Sequence, residues 1–160
     1  MAGEHCEIAW FSALCDDDYE FLGVPDPYLQ SSWDHCRNIV LRAEEGGFDN
    51  ILLPSGYQLG LDTTAFAAAV ATQVRRIKLL WATRIGEDWP PQLARRIATL
   101  DRILGPNASG TGGRLNVNII SSDMPGETMA SGPRYARATE VMKIVRTLLN
   151  GESLDHQGEF

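Results

Sequence analysis

The chain has 160 residues, enough to bury a genuine core as one compact unit, and at 44% hydrophobic and 22% charged its composition is that of an ordinary globular protein. Twenty-one acidic against fourteen basic residues give a formal charge of −7 with no Lys/Arg block, which argues against nucleic-acid binding. No apolar run approaches the roughly 20 residues that span a bilayer, so no membrane partner is expected.

The amino terminus lacks the basic-then-apolar pattern of a secretory signal. Cys6, Cys15 and Cys36 are odd in number and show no CxxC spacing. Three free thiols in a reducing cytoplasm are the expectation, rather than a disulfide or a metal site.

Four short apolar runs recur along the chain, each followed by a helix-patterned segment. Ile8 to Leu14 (IAWFSAL) is the first predicted strand, running into the acidic loop Cys15 to Asp18. Pro25 and Pro27 make Tyr19 to Gln30 a loop. Ser31 or Ser32 caps a helix with apolar positions Trp33, Cys36, Val40 and Ala43, and Gly46-Gly47 stops it. Asn50 to Pro54 is the second strand, followed by Ser55-Gly56-Tyr57-Gln58. Asp62 or Thr63 opens an alanine-rich helix that ends at Arg75-Arg76. Ile77 to Thr83 (IKLLWAT) is the third strand. Pro90-Pro91 suits the first turn of a third helix, whose stripe is Leu93, Ile97, Leu100 and Leu104. The flexible run Gly105 to Gly113 follows a helix and precedes a strand, the reverse of a phosphate-cradling loop.

The fourth unit carries the chemistry. Arg114-Leu115-Asn116-Val117-Asn118-Ile119-Ile120-Ser121-Ser122-Asp123 reads as a strand, with Glu127 and Arg134-Tyr135 beyond it. A strand of a parallel sheet is covered on both faces and should be almost wholly apolar. Two asparagines within it, and two serines at its end, are costly unless something polar meets them. Parallel βα units gather their ligands at the carboxyl ends of the strands, where these residues fall. The last predicted helix starts at Ser131 or Gly132 with Pro133 and puts Tyr135, Ala138, Met142, Val145 and Leu149 on one face. Four βα units make half of an eight-fold barrel, which needs about 250 residues. An open sheet covered by helices on both faces is the competing architecture, and the pattern alone does not separate the two.

Four stretches taken together resemble the luciferase-like, FMN-dependent monooxygenase family, in its alkanesulfonate and pyrimidine monooxygenase branch. They are Gly47-Phe48-Asp49 to Pro54-Ser55-Gly56, Leu93 to Arg102 (LARRIATLDR), Gly113-Arg114 to Ser122, and Arg134-Tyr135 with the tail Gly151 to Phe160. The resemblance implies an α/β fold of the TIM-barrel (β/α)8 type, with residues 1–160 as the amino-terminal half. It implies a monooxygenase that uses reduced FMN and O2, through a C4a-peroxyflavin, to oxygenate a small organic substrate. An NAD(P)H-flavin reductase would supply the reduced FMN. From the residues themselves, the unpaired cysteines fit a cytoplasmic protein, and the two unpaired edges of four open strands make a homo-oligomer the expectation. The family's FMN-phosphate loops and catalytic strand belong to its second half, so no catalytic residue is assigned, and a chain with nothing beyond Phe160 is expected to turn over weakly or not at all.

Carried over residue by residue, the resemblance implies flavin contacts from Ser55 and Gly56, Asn118, Glu127, Arg134 and Tyr135. An amide that both donates and accepts suits the pyrimidine edge of a flavin, and an arginine suits anionic oxygens. Ala82-Thr83 fall where the family often has a cis peptide behind the flavin. The chain departs from the sulfonate branch at Leu59, where that branch has cysteine, and near Pro25, where it has glutamate. From the residues themselves, Trp10 and Phe11 are candidates for an apolar substrate pocket, with Trp81 a further strand aromatic.

Bland readings stand beside these. Asn118 could be a buried structural amide, Asn116 reads as structural, and Glu127 and Asp123 could be solvated loop carboxylates. Arg95 and Arg96 with Asp101 are expected to make salt bridges at the barrel rim. His5, His35 and His156 have no partners at catalytic spacing, and Asp16 to Asp18 offers too few oxygens for a metal. Two other functions remain open. One is a non-catalytic relative that holds flavin or pairs with another subunit, since four open strands leave two edges. The other is an oxidoreductase using the deazaflavin coenzyme F420.

Overall fold

A computed structural model describes residues 6–21, 24, 26–57, 60–122 and 124–160. The readings placed on His5, Pro25, Gln58, Leu59 and Asp123 lie outside the described residues. Eight elements alternate in chain order: β1 (Ala9–Phe11), α1 (Trp33–Glu45), β2 (Asn50–Leu53), α2 (Thr63–Ala71), β3 (Lys78–Arg84), α3 (Pro90–Leu104), β4 (Leu115–Ile120) and α4 (Ser131–Leu149).

Local chemistry sets the helix ends. The Ser32 hydroxyl accepts the His35 N–H at 3.2 Å and the Asp62 carboxylate accepts the Ala65 N–H at 2.7 Å, so each supplies a partner for an orphan first-turn donor. Prolines occupy the first turn of α3. Gly47 and Gly151 turn the chain after α1 and α4 at φ of 81° and 79°, a region that favours glycine.

All four strands are parallel and lie in the order β1-β2-β3-β4. This order settles the architecture. A doubly wound sheet reverses its strand order to place helices on both faces, whereas here each crossover advances in the same sense. Right-handed crossovers of that kind lay every helix on one face, and α1 meets α2, α2 meets α3 and α3 meets α4 in turn. The arrangement is the curved wall of a (β/α) barrel, an α/β fold of the TIM-barrel type.

The helix-side face holds the core. Ile51, Leu53, Leu79 and Trp81 are fully buried against Cys36, Val40, Phe66, Ala67, Val70, Leu93, Leu100 and Leu104, with Val117 and Ile119 partly covered. The opposite face carries Phe11, Leu52, Leu80, Ala82, Arg84, Asn116, Asn118 and Ile120, and no helix covers it.

Several expectations need correction. β4 is half-exposed at all six positions rather than buried on both faces, because it is the sheet's edge and its inner face is open. β1 has three paired residues, not seven. Beyond Phe11 the ladder continues only as Ser12 N–H to Leu52 C=O before the chain turns at Leu14. On α4 the packed positions are Ala138, Val141, Val145 and Leu148; Tyr135, Met142 and Leu149 lie outward. Every peptide bond among the described residues is trans, Ala82–Thr83 included. Arg96 pairs with Asp88 of its own preceding loop, not with Asp101.

Candidate functional site at the carboxyl ends of the strands

The strand register divides the open face into rows. Ala9, Asn50 and Lys78 form the first, Phe11, Leu52, Leu80 and Asn116 the second, Ala82 and Asn118 the third, and Arg84 and Ile120 the last. The first row is ionic: Glu7 accepts hydrogen bonds from both Lys78 and the Asn50 amide. Lys78 donates directly to that carboxylate, which holds the carboxyl below its ordinary range. The second row is apolar apart from Asn116. Beyond it, towards the carboxyl ends, the face changes to an amide, a methyl group and a guanidinium.

Asn118 and Ala82 are direct partners across β4 and β3. Ala82 is buried and Asn118 half-buried, and the Asn118 amide makes no hydrogen bond with another described residue. An amide with no partner among the described residues, beside a small buried side chain, can offer the edge of a flat ring one donor and one acceptor. Thr83, the neighbour of Ala82, pairs with Ile119 and faces the helices.

Arg84 binds the ends of three strands together. Its Nη2 donates to the Ser55 carbonyl at 2.7 Å, its Nη1 to the Ser122 hydroxyl at 2.5 Å, and its guanidinium carbon lies 4.2 Å from the centre of the Tyr57 ring. Glu87 is 3.9 Å from Nε, and burial pushes the Glu87 carboxyl up. Ser55 therefore reaches the site through its backbone, and Gly56 follows it in the exposed loop.

The remaining predicted residues lie on the segment after β4. Both Glu127 oxygens accept from Arg137, at 2.8 and 3.0 Å, and this pairing holds the Glu127 carboxyl below its ordinary range. The Glu127 N–H also closes a turn onto the Met124 carbonyl. Arg134 donates to the Ser121 carbonyl at 3.3 Å, tying α4 to the end of β4. Tyr135 is 64% exposed.

The structure thus brings Ser55, Ala82, Asn118 and Arg134 to one end of the sheet. It does not bring Trp10 there. Successive strand residues point to opposite faces, and Trp10 packs on Phe48, 5.1 Å between ring centres, on the α1 side. Phe11 is on the open face. The buried Trp81 is a core residue.

Sequence reasoning missed Arg84 and Arg137 as organising groups, while Ser122, flagged as a serine in need of a polar partner, finds it in Arg84. The signal for Arg84 was present: the predicted third strand stopped one residue short of it, and a charge at the end of an inner strand calls for partners. Arg137 lies one helical turn beyond Arg134, too ordinary a spacing to mark it. Asp18 pairs with His35 at 2.6 Å, and Asp16 accepts the Ser31 N–H, so the acidic loop fastens to the start of α1. Among the described residues no cluster of His, Cys, Asp or Glu fits a metal ion. No helix is long and apolar enough to cross a membrane.

A parallel (β/α) wall with its polar groups at the carboxyl ends of the strands is the frame of a barrel that binds its ligand at that rim. The chain belongs to the luciferase-like monooxygenase family, which its residues 21–160 match. It is 93% identical over all 160 residues to the sulfoquinovose monooxygenase of Novosphingobium aromaticivorans, covering 44% of that protein. It is 52% identical over 153 residues to the sulfoquinovose monooxygenase of Agrobacterium fabrum, covering 96% of this chain and 38% of that one. The chain therefore spans less than half the length of these relatives. Among solved structures, a riboflavin lyase with modified FMN and riboflavin superposes with a TM-score of 0.72 at 20% identity, covering 89% of this chain and 37% of that one. The coenzyme F420-dependent tetrahydromethanopterin reductase of Methanopyrus kandleri gives 0.67 at 20% identity, covering 96% and 43%. At such identities these two show a shared fold.

Proposed function

We propose that the chain forms the flavin-facing wall of a monooxygenase that uses reduced FMN and O2 to oxygenate a small sulfonated sugar of the sulfoquinovose type. The observation that carries the reading is the Ala82–Asn118 pair, a small side chain beside an amide without a partner among the described residues, set between an apolar row and Arg84. The two sulfoquinovose monooxygenase relatives support the substrate class.

When bound, reduced FMN supplies the electrons that activate dioxygen. The chain's own residues bind and orient. The Asn118 amide offers a donor and an acceptor to the pyrimidine edge of the flavin, Ala82 gives the ring a flat neighbour, and Ser55 and Gly56 contribute backbone groups. Arg134, Tyr135 and Glu127 shape the segment closing over that edge, with Arg137 holding Glu127 in place. Phe11, Leu52 and Leu80 form an apolar floor that excludes water. In the whole protein a separate NAD(P)H-flavin reductase delivers the reduced FMN, the remaining strands of the barrel pair the edges at β1 and β4, and copies of the protein associate. A cytoplasmic location fits a supply of reduced flavin.

Titration of the protein with FMN and, separately, with coenzyme F420, followed by absorbance and fluorescence, tests the reading. Saturable FMN binding is the expected result, with oxygen uptake coupled to loss of sulfoquinovose in the whole protein once the flavin is reduced. Saturation by F420 alone would move the protein to deazaflavin chemistry, and binding of neither would remove the reading.

A further inference from the structure

Arg84 is the one charged side chain in the outermost row of the open face, and its partners leave that charge largely uncompensated. The groups it donates to are a carbonyl, of Ser55, and a hydroxyl, of Ser122; the group it stacks on is the Tyr57 ring. Among the described residues the one carboxylate within 4 Å is Glu87, 3.9 Å away. The Arg84 side chain is 12% exposed. The Nε–H is buried and makes no hydrogen bond with a described residue. A buried, unused donor on a guanidinium costs stability unless an acceptor arrives, and an anionic oxygen is the acceptor that satisfies both the hydrogen bond and the charge. The neutral partners also fix the guanidinium in place, so an incoming anion need not order it.

We propose that Arg84 is the charge of an oxyanion-binding subsite at the carboxyl end of β3. Its ligand is a singly charged oxygen group. Two sources carry one in the chemistry proposed above, on which this inference rests: the sulfonate of the sugar substrate and the anionic pyrimidine edge of reduced flavin. The position, one row beyond the Ala82–Asn118 pair, serves either.

The test uses nitrogen-15-labelled protein and follows the Arg84 Nε–H resonance, assigned by its disappearance in Arg84→Lys. Methanesulfonate and its neutral relative dimethyl sulfone are titrated without cofactor. Oxidised and reduced riboflavin, which lack the phosphate, are then titrated without oxygen. If the sulfonate is the ligand, methanesulfonate shifts the resonance saturably and dimethyl sulfone does not. Read in the variants from backbone amide shifts, since they lack the Nε–H, Arg84→Met then weakens methanesulfonate about tenfold to a hundredfold, and Arg84→Lys recovers part of that loss. If the flavin edge is the ligand, the reduced form shifts the resonance, and its advantage over the oxidised form falls about tenfold in Arg84→Met. The proposal is overturned if neither methanesulfonate nor reduced riboflavin moves the wild-type resonance, or if Arg84→Met binds both as wild type does. The comparison of anion with neutral relative needs no substitution, so a Met variant that fails to fold leaves the wild-type and Lys results to decide. Neither arm uses O2 or turnover; failure of sulfoquinovose oxidation would remove the proposed function without touching this result.

Discussion

Replacing Asn118 by leucine separates a ligand-facing amide from a structural one. Leucine keeps the branched shape of asparagine but is larger, and the half-buried position opens onto an uncovered face that takes the added methyl volume, so the substitution creates neither a cavity nor a clash. The amide makes no hydrogen bond within the described protein, so its removal strands no partner. Stability should therefore change by no more than about 0.5 kcal/mol, as for surface substitutions away from special features. Flavin binding should lose two hydrogen bonds. At roughly 1 kcal/mol each, with a spread of about half that, the loss is about 1–3 kcal/mol, or roughly fivefold to 150-fold in Kd. Asn118→Asp adds a negative charge in the same volume, and should weaken reduced flavin more than oxidised flavin. Quenching of FMN fluorescence measures the flavin affinity and urea denaturation the stability. An FMN affinity for Asn118→Leu within twofold of wild type would refute the reasoning, as would a destabilisation of several kcal/mol, which would mark the amide as structural.

Three further expectations concern the frame that holds the site. Arg114 is buried and donates to the carbonyls of Leu104 and Ile77, joining the end of α3 to the start of β3, and burial lowers its affinity for a proton. Arg114→Met should cost about 3 kcal/mol in urea denaturation, since two buried carbonyls lose a charged donor; a cost below about 1 kcal/mol would show that the carbonyls find other partners. A Cβ at Gly60 would come within 2.2 Å of the Leu14 carbonyl, where the loops after β1 and β2 dock through the Leu61 N–H. Gly60→Ala should therefore lower Tm by several degrees, about 1–3 kcal/mol, and an unchanged Tm would show that the loops separate freely. Burial works to raise the Glu44 carboxyl, but the N–H groups of Ile77, Arg76 and Arg75 outweigh it, and the group ends below its ordinary range. A depressed folded-state value contributes stability that is present above the unfolded carboxylate range and is lost as pH falls through the folded one. Wild type should then exceed Glu44→Gln in stability at pH 7, with the gap closing on acidification; a gap independent of pH would contradict the linkage.

The alternation of apolar runs and capped helices, local in the chain, made the four βα units legible from sequence. Ser32 and Asp62 cap helices as their hydroxyl and carboxylate chemistry requires, Gly47 and Gly151 stop helices, and the prolines open α3, since each effect acts within a few residues. The polar cluster on β4 was visible because asparagine on an inner strand violates the apolar pattern. What no local signal could decide was which face of each strand is covered and which is open. That depends on the order of strands in the sheet, and the uniform advance from β1 to β4 puts every helix on one side, leaving Asn118 on the open face without a partner among the described residues, while Trp10 turns to the other face and lies against Phe48. Nor could spacing alone pair Arg84 with Ser55 and Ser122, or Arg137 with Glu127. Those partners are brought together only by folding, because a guanidinium reaches whichever oxygens the register places around it.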